Sequence, residues 1–261
     1  MTKEQLQQAK QSFYSDWDSE TIAAKLKEDI FNIQYIKNPS NELQLQSVQT
    51  NGDTIQFFKN PSEDICLESV RQNGASLRFI KNQTERIQLE SIWHTSGDSI
   101  KYIENPNETI QLESIKENPH NIQYIKNPTD YAKLNAVRKN PYTLQFIKNQ
   151  TNEICLAAVK LNGIVLQFVK EQTNEICLEA VKQNKNAIQF VENLTENIQL
   201  AAVQIDGDMI AYVSNPSKTV QLASVQNNGL SILFIKDPDI DVMSAAVEQN
   251  LDAIKYIEIS E

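Results

Sequence analysis

The residues whose types could do chemistry are three cysteines, two histidines and a regular row of lysines in a chain of 261 residues. Cys66, Cys155 and Cys177 show no Cys-x-x-Cys spacing, and an odd number cannot all pair. They occupy one column of a repeating pattern together with Gln44, Gln88, Gln111, Gln199 and Gln221. Cys155 and Cys177 stand one repeat apart, roughly 8–10 Å if each repeat is a packed helical pair, which is beyond disulfide reach. The expectation is small, part-buried thiols replacing a hydrogen-bonding glutamine. His94 and His120 have no second His or Cys at metal-ligand spacing, and no Cys-His-Asp arrangement is legible. A phosphate-cradling loop, a dinucleotide fingerprint and a nucleophile elbow are all missing from the sequence. The chain therefore reads as a non-enzyme with no catalytic residue, metal site or cofactor.

Binding chemistry is better represented. Lys37, Lys59, Lys81, Lys126, Lys148, Lys170 and Lys236 share one column, with Arg78, Lys101 and Lys255 in the column beside it. Such a cationic ridge could track a nucleic-acid backbone. Two readings oppose this: the neighbouring aromatics are placed inward, and an acidic row (Glu42, Asp64, Glu85, Glu108, Asp130, Glu153, Glu175, Glu196) lies close enough to pair with the lysines. The pattern is broken over residues 92–98, where Trp93 replaces the usual Arg, Lys or Gln, His94 follows, and one residue is inserted. An exposed tryptophan there would be a partner-binding anchor. The candidate binding residues are thus Trp93, His94, Lys59, Lys81, Lys126, Lys148 and Lys170.

What must position these side chains is an array of short repeats. The apolar-x-aromatic-apolar phrase begins at Ile33, Ile55, Leu77, Ile100, Ile122, Leu144, Leu166, Ile188, Ile210 and Ile232, with a half repeat from Ile254. Successive starts are 22 residues apart, except the 23 between Leu77 and Ile100. All six glycines fall in one column, and the prolines fall in that column or a second one. After the proline column stands a Ser, Thr, Asn or Asp, the residue types that cap helix starts. Acids follow, which suits the positive end of a helix. Each repeat is expected to hold one helix of about 11 residues, stopped by a left-handed Asn-Gly, and one of about seven or eight.

At about 100° per residue, the longer helix turns Ile65, Cys66, Leu67, Ser69 and Val70 inward, so that the column of Leu67 and Leu134 is core. Glu68, Arg71 and Gln72 then face water, as does the column of Glu113. The always-small column of Ser69 lets helices approach. On the shorter helix Ser76, Leu77, Phe79 and Ile80 are placed inward. Leucine-rich repeats are excluded, because no period-two alternation is present. The predicted architecture is all-α, a right-handed α-solenoid of about ten 22-residue helix-turn-helix repeats over residues 19–261, behind an N-terminal capping helix in residues 1–18 with Phe13 and Tyr14 covering the open core.

The phrases Leu156-Ala-Ala-Val-Lys-Leu-Asn-Gly-Ile-Val-Leu-Gln-Phe168 and Leu178-Glu-Ala-Val-Lys-Gln-Asn-Lys-Asn-Ala-Ile-Gln-Phe190 resemble the repeats of the domain-of-unknown-function 4116 family. The resemblance extends over residues 19–258 and implies helical repeats without an assigned activity; the family occurs in bacterial, protist and viral proteins. This chain departs in favouring Asn-Pro-Ser/Thr between helices. With 34 acidic against 24 basic residues, the formal charge is −10, which argues against a dedicated duplex-DNA binder. No apolar run has membrane-spanning or signal-peptide character, so the expected place is the cytoplasm. The functional expectation is a scaffold binding a protein partner along the solenoid surface. The Asn-, Ile- and Lys-rich wording suits an AT-rich genome, and one version is a viral inhibitor that occludes a host defence factor. The alternatives are nucleic-acid binding along the lysine ridge and acidic nucleic-acid mimicry.

Overall fold

The computed structural model describes residues 2–6 and 18–257. The expected capping helix, with Phe13 and Tyr14, and the last four residues lie largely outside the described residues. The chain divides into two compact units, Met1–Ala132 and Lys133–Glu261.

In the first unit the α-helices are α1 (Ser19–Glu28), α2 (Asn41–Thr50), α3 (Glu63–Gln72), α4 (Glu85–Trp93) and α5 (Glu108–Glu117). Helix α6 (Asp130–Lys139) contains the boundary. The second unit holds α7 (Asn152–Leu161), α8 (Asn174–Gln183), α9 (Glu196–Ile205), α10 (Lys218–Asn227) and α11 (Ile240–Gln249). A 3-10 helix follows each α-helix, such as Gly74–Phe79 after α3 and Gly207–Tyr212 after α9. From α2 onward in the first unit and throughout α7 to α11 in the second, consecutive α-helices pack on one another, and within each unit so do consecutive 3-10 helices. The core lies between these two layers. Among the described residues there is no strand. Each unit is therefore a stack of the predicted all-α repeats.

Local sequence explains where each α-helix starts. Ser62 accepts from the Ile65 amide and Thr84 from the Ile87 amide, satisfying donors that the first helical turn leaves free. The core columns are aliphatic: Val48, Leu77, Ile92 and Ile110 in the first unit, and Leu144, Val159, Val181 and Val203 in the second, are all fully buried.

Three expectations need correction. The first is the helix stop. Asn73 has φ −146° and ψ 100°, an extended conformation. Its N–H closes α3 on the Ser69 carbonyl, while its side chain accepts from the Ala75 amide and opens the next helix. One residue thus ends one helix and starts another, and Asn51, Asn118, Asn162 and Asn184 repeat the device. Among the described residues an α-helix runs into a left-handed stop only at the insertion, where Ser96 has φ 51° and Gly97 φ 84°; Asn38, Asn215 and Asp237 are left-handed after 3-10 helices instead. There the Gly97 amide reaches back to the Ile92 carbonyl at 2.9 Å in the manner of a left-handed helix C-cap.

The second concerns the shorter helix, which is a 3-10 helix of six residues in most repeats. Three residues per turn, a 120° step, puts Gly74, Leu77 and Ile80 on one face and moves Phe79 to another. Leu77 and Ile80 are buried, but Phe79 is only half-buried. No member of the aromatic column is buried among the described residues, and Tyr124, Tyr212, Phe234 and Tyr256 are exposed.

The third concerns the longer helix. Leu67 is buried, but Leu89, Leu112, Leu134, Leu156 and Leu178 in its column are half-buried. Gln72, expected to face only water, accepts from the Gly52 amide of the preceding repeat at 2.6 Å. Gln183, Asn227 and Gln249 hold Gly163, Gly207 and Gly229 in the same way. The small column is also a connection: Ser69, Ser91 and Ser114 donate to the carbonyls of Gly52, Gly74 and Gly97 at 2.9, 2.7 and 2.9 Å.

Candidate binding surface

Trp93 ends α4 and is 54% exposed. Its indole N–H donates to Glu113 on α5 at 3.3 Å. That bond, with Lys116 nearby, holds the Glu113 carboxyl below the usual carboxylate range. Glu113 is half-buried rather than fully turned to water as the sequence suggested. One repeat back, the Arg71 Nε donates to Glu90 at 2.9 Å, and His94 Nε2 lies 3.4 Å from the same carboxylate. Arg71 is the main reason that the Glu90 carboxyl titrates low. The inserted residue accounts for the patch, because the Thr95-Ser96-Gly97 turn replaces the usual Asn stop directly after Trp93 and His94. The structure thus brings Trp93 and His94 together with Arg71, Glu90 and Glu113, none of which the spacing alone marked as their companions.

Lys59, Lys81, Lys126, Lys148 and Lys170 are all exposed. The expected pairing with the acidic row is not observed: none of these five makes an ion pair among the described residues. Lys170 instead donates to the Lys148 carbonyl at 2.8 Å. Two acids of the row bond to the next repeat instead. Glu85 accepts from Asn107 at 3.0 Å, and Glu196 accepts from Ser217, in each case the capping residue of the next helix. Lys59, Lys81, Lys126 and Lys148 thus stand exposed without a carboxylate partner among the described residues, in a column that Glu104 and Glu192 interrupt.

A second polar cluster escaped the sequence reading. Asp53 accepts from Asn73 at 2.8 Å, from Ser76 at 2.7 Å and from Arg78 at 2.5 Å, all one repeat later. Asp208 accepts likewise from Asn228 and Ser231, but Leu233 stands where Arg78 would be. The legible signal was the pairing of Asp with an Asn and a Ser one period on. These bonds tie repeat to repeat.

The cysteines are free and buried. Where glutamine fills their column it caps the preceding loop, as Gln44 and Gln111 do on the Pro39 and Pro106 carbonyls at 2.8 and 2.9 Å. At Cys155 and Cys177 a glutamine replaces the loop proline, whereas Cys66 keeps Pro61. Gln150 then reaches the Phe168 carbonyl at 2.9 Å, and Cys155 donates to Gln150 at 3.6 Å. Burial, with Glu171 nearby, pushes the Cys155 thiol up to about 11. At pH 8 it is therefore a thiol rather than the nucleophilic thiolate. Iodoacetamide at pH 8 is expected to leave Cys155 unmodified in the folded chain and to label it in denaturant. Labelling of the native protein as fast as a free thiol would contradict this environment.

Among the described residues no group of His, Cys, Asp and Glu could hold a metal ion, and no helix is long and apolar enough to cross a membrane. No curated protein and no solved structure matches the chain. Residues 151–195, which span α7, α8 and the 3-10 helices that follow them, match the family model described as Domain of unknown function (DUF4116).

Proposed function

We propose that the chain is a non-enzymatic scaffold that binds a protein partner, with Trp93 as the anchor of the interface. The observation that carries this reading is a tryptophan that is 54% exposed yet tied by its indole N–H to Glu113. Leaving a large apolar ring in water serves no packing purpose, and fixing it in advance lowers the entropy cost of docking. Aromatic and arginine side chains dominate interface energetics, and Arg71 and His94 meet on Glu90 of the same helix as Trp93. The finer version, a viral protein that occludes a host defence factor in the host cytoplasm, draws support from the composition and from the family resemblance.

The test is affinity capture from the native host, identification of the partner by mass spectrometry, and comparison of variants confirmed to be folded. Trp93→Ala should weaken that partner by about 2 kcal/mol or more, roughly thirtyfold. Lys148→Ala should cost well under 1 kcal/mol, and that small loss should shrink with salt. Equal losses for several lysine variants, with binding abolished by salt, would replace Trp93 with an electrostatic interface.

A further inference from the structure

In the first unit a cleft of about 400 Å³ opens between consecutive 3-10 helices, lined by Phe57 and Phe79 and by Lys59 and Lys81. This volume falls within the roughly 300–1,000 Å³ typical of small-ligand sites. Phe57 and Phe79 occupy equivalent positions one repeat apart and are both half-buried. Each ring already has a neighbour: Phe31 meets Phe57 edge-on at 6.0 Å, and the Arg78 guanidinium lies 4.5 Å from the Phe79 centroid. The two rings make no stacking contact with each other, and both line the cleft. Lys59 and Lys81 carry no carboxylate partner. Glu63 also lines the cleft, but it accepts from the Thr84 hydroxyl at 2.6 Å.

We propose that this cleft takes a base of single-stranded nucleic acid between Phe57 and Phe79, with the flanking phosphates at Lys59 and Lys81. The occupant must combine a flat aromatic ring with regularly spaced negative charge. A base and its phosphates meet both needs, whereas an acidic peptide supplies only the charge. Rings on which bases stack, beside cations that follow the backbone, are the recurrent construction of single-strand sites. Lys37, exposed in the same column, extends the cationic track by one repeat, and Glu104 interrupts the column before Lys126. The second unit provides an internal contrast. Its comparable cleft of about 360 Å³ is lined by Lys148 and Lys170 but by no aromatic residue, so it offers charge without a stacking surface. The phosphate contacts make binding dependent on salt, and the acidic total of −10 opposes the denser charge of a duplex. The inference is independent of the Trp93 interface.

The experiment is fluorescence anisotropy of the full chain with a labelled single-stranded DNA of roughly 12 nucleotides at about 50 mM salt. Saturable binding is expected. Phe79→Leu, which keeps an apolar side chain in case Phe79→Ala fails to fold, should weaken it at least about tenfold. The double variant Lys59→Gln/Lys81→Gln should lower the slope of log K against log salt by about 1.4. Lys148→Gln/Lys170→Gln should have less effect than the Lys59/Lys81 pair, and Trp93→Ala none. Undetectable binding, equal affinity for a duplex, full competition by polyglutamate of equal charge, or indifference to Phe79→Leu would each overturn the proposal. Because Trp93→Ala is measured in both assays, failure here leaves the protein-scaffold reading separately decidable.

Discussion

Leu144→Asp is expected to unfold the unit Lys133–Glu261. Leu144 opens an apolar phrase, lies on the 3-10 helix Pro141–Phe146, and is 0% exposed. Truncating a fully buried leucine costs about 2–5 kcal/mol, and an unpaired carboxylate in its place adds a desolvation penalty. Together they approach the whole stability of a domain, about 5–15 kcal/mol. Because each repeat is held by its neighbours, local failure propagates along the stack. Urea unfolding followed by circular dichroism should show the loss. Gln145→Asp, one residue along and exposed, should stay within about 0.5 kcal/mol. Equal effects at the two positions would mean that the faces are wrongly assigned.

Gly207→Ala should destabilise by about 1–3 kcal/mol through crowding. A Cβ at Gly207 would stand 2.5 Å from the Ser224 carbonyl oxygen and 2.7 Å from the Ser231 hydroxyl. Neither can yield easily. Ser224 donates back to the Gly207 carbonyl at 2.9 Å, and Ser231 is held by Asp208 at 2.7 Å. The Gly207 amide is bonded to Asn227 at 2.8 Å, so sliding the strand of backbone away breaks a third contact. Gly207 does not need a positive φ; it needs the absence of a side chain where two repeats touch. Lys185 occupies the same column with a Cβ already accommodated and an ion pair to Asp206. Lys185→Ala should therefore cost under about 1 kcal/mol, the value of a part-exposed pair. A neutral Gly207→Ala in thermal melts would show that the contact relaxes without cost.

Much of this architecture was legible in the sequence because a repeat makes each residue's equivalents visible. The period, the boundaries at Asn and Pro, the caps at Ser62 and Thr84, and the aliphatic columns of Ile110 and Leu144 all follow from short-range chemistry repeated many times. Trp93 and His94 stood out for the same reason, as departures from an otherwise uniform lattice. The free thiols Cys155 and Cys177 also followed, since one repeat separates them.

Tertiary structure decided what depends on rotation per residue and on distance between repeats, and neither is written in a linear pattern. A 100° step places Phe79 in the core; the 120° step of the packed 3-10 helix turns it toward the surface, leaving part-exposed rings beside Lys59 and Lys81. Asn73 is extended because one residue must close α3 and open the next helix, and not because an Asn-Gly pair favours a left-handed turn. Gln72 reads as a solvent residue until the neighbouring repeat brings the Gly52 amide within 2.6 Å. The lysines and the acidic row are near in sequence, but Glu85 and Glu196 face the capping residues Asn107 and Ser217 instead. Sequence alone determined which residues are equivalent; the stacking of one repeat on the next determined what each of them touches, because those partners lie about one full repeat away along the chain.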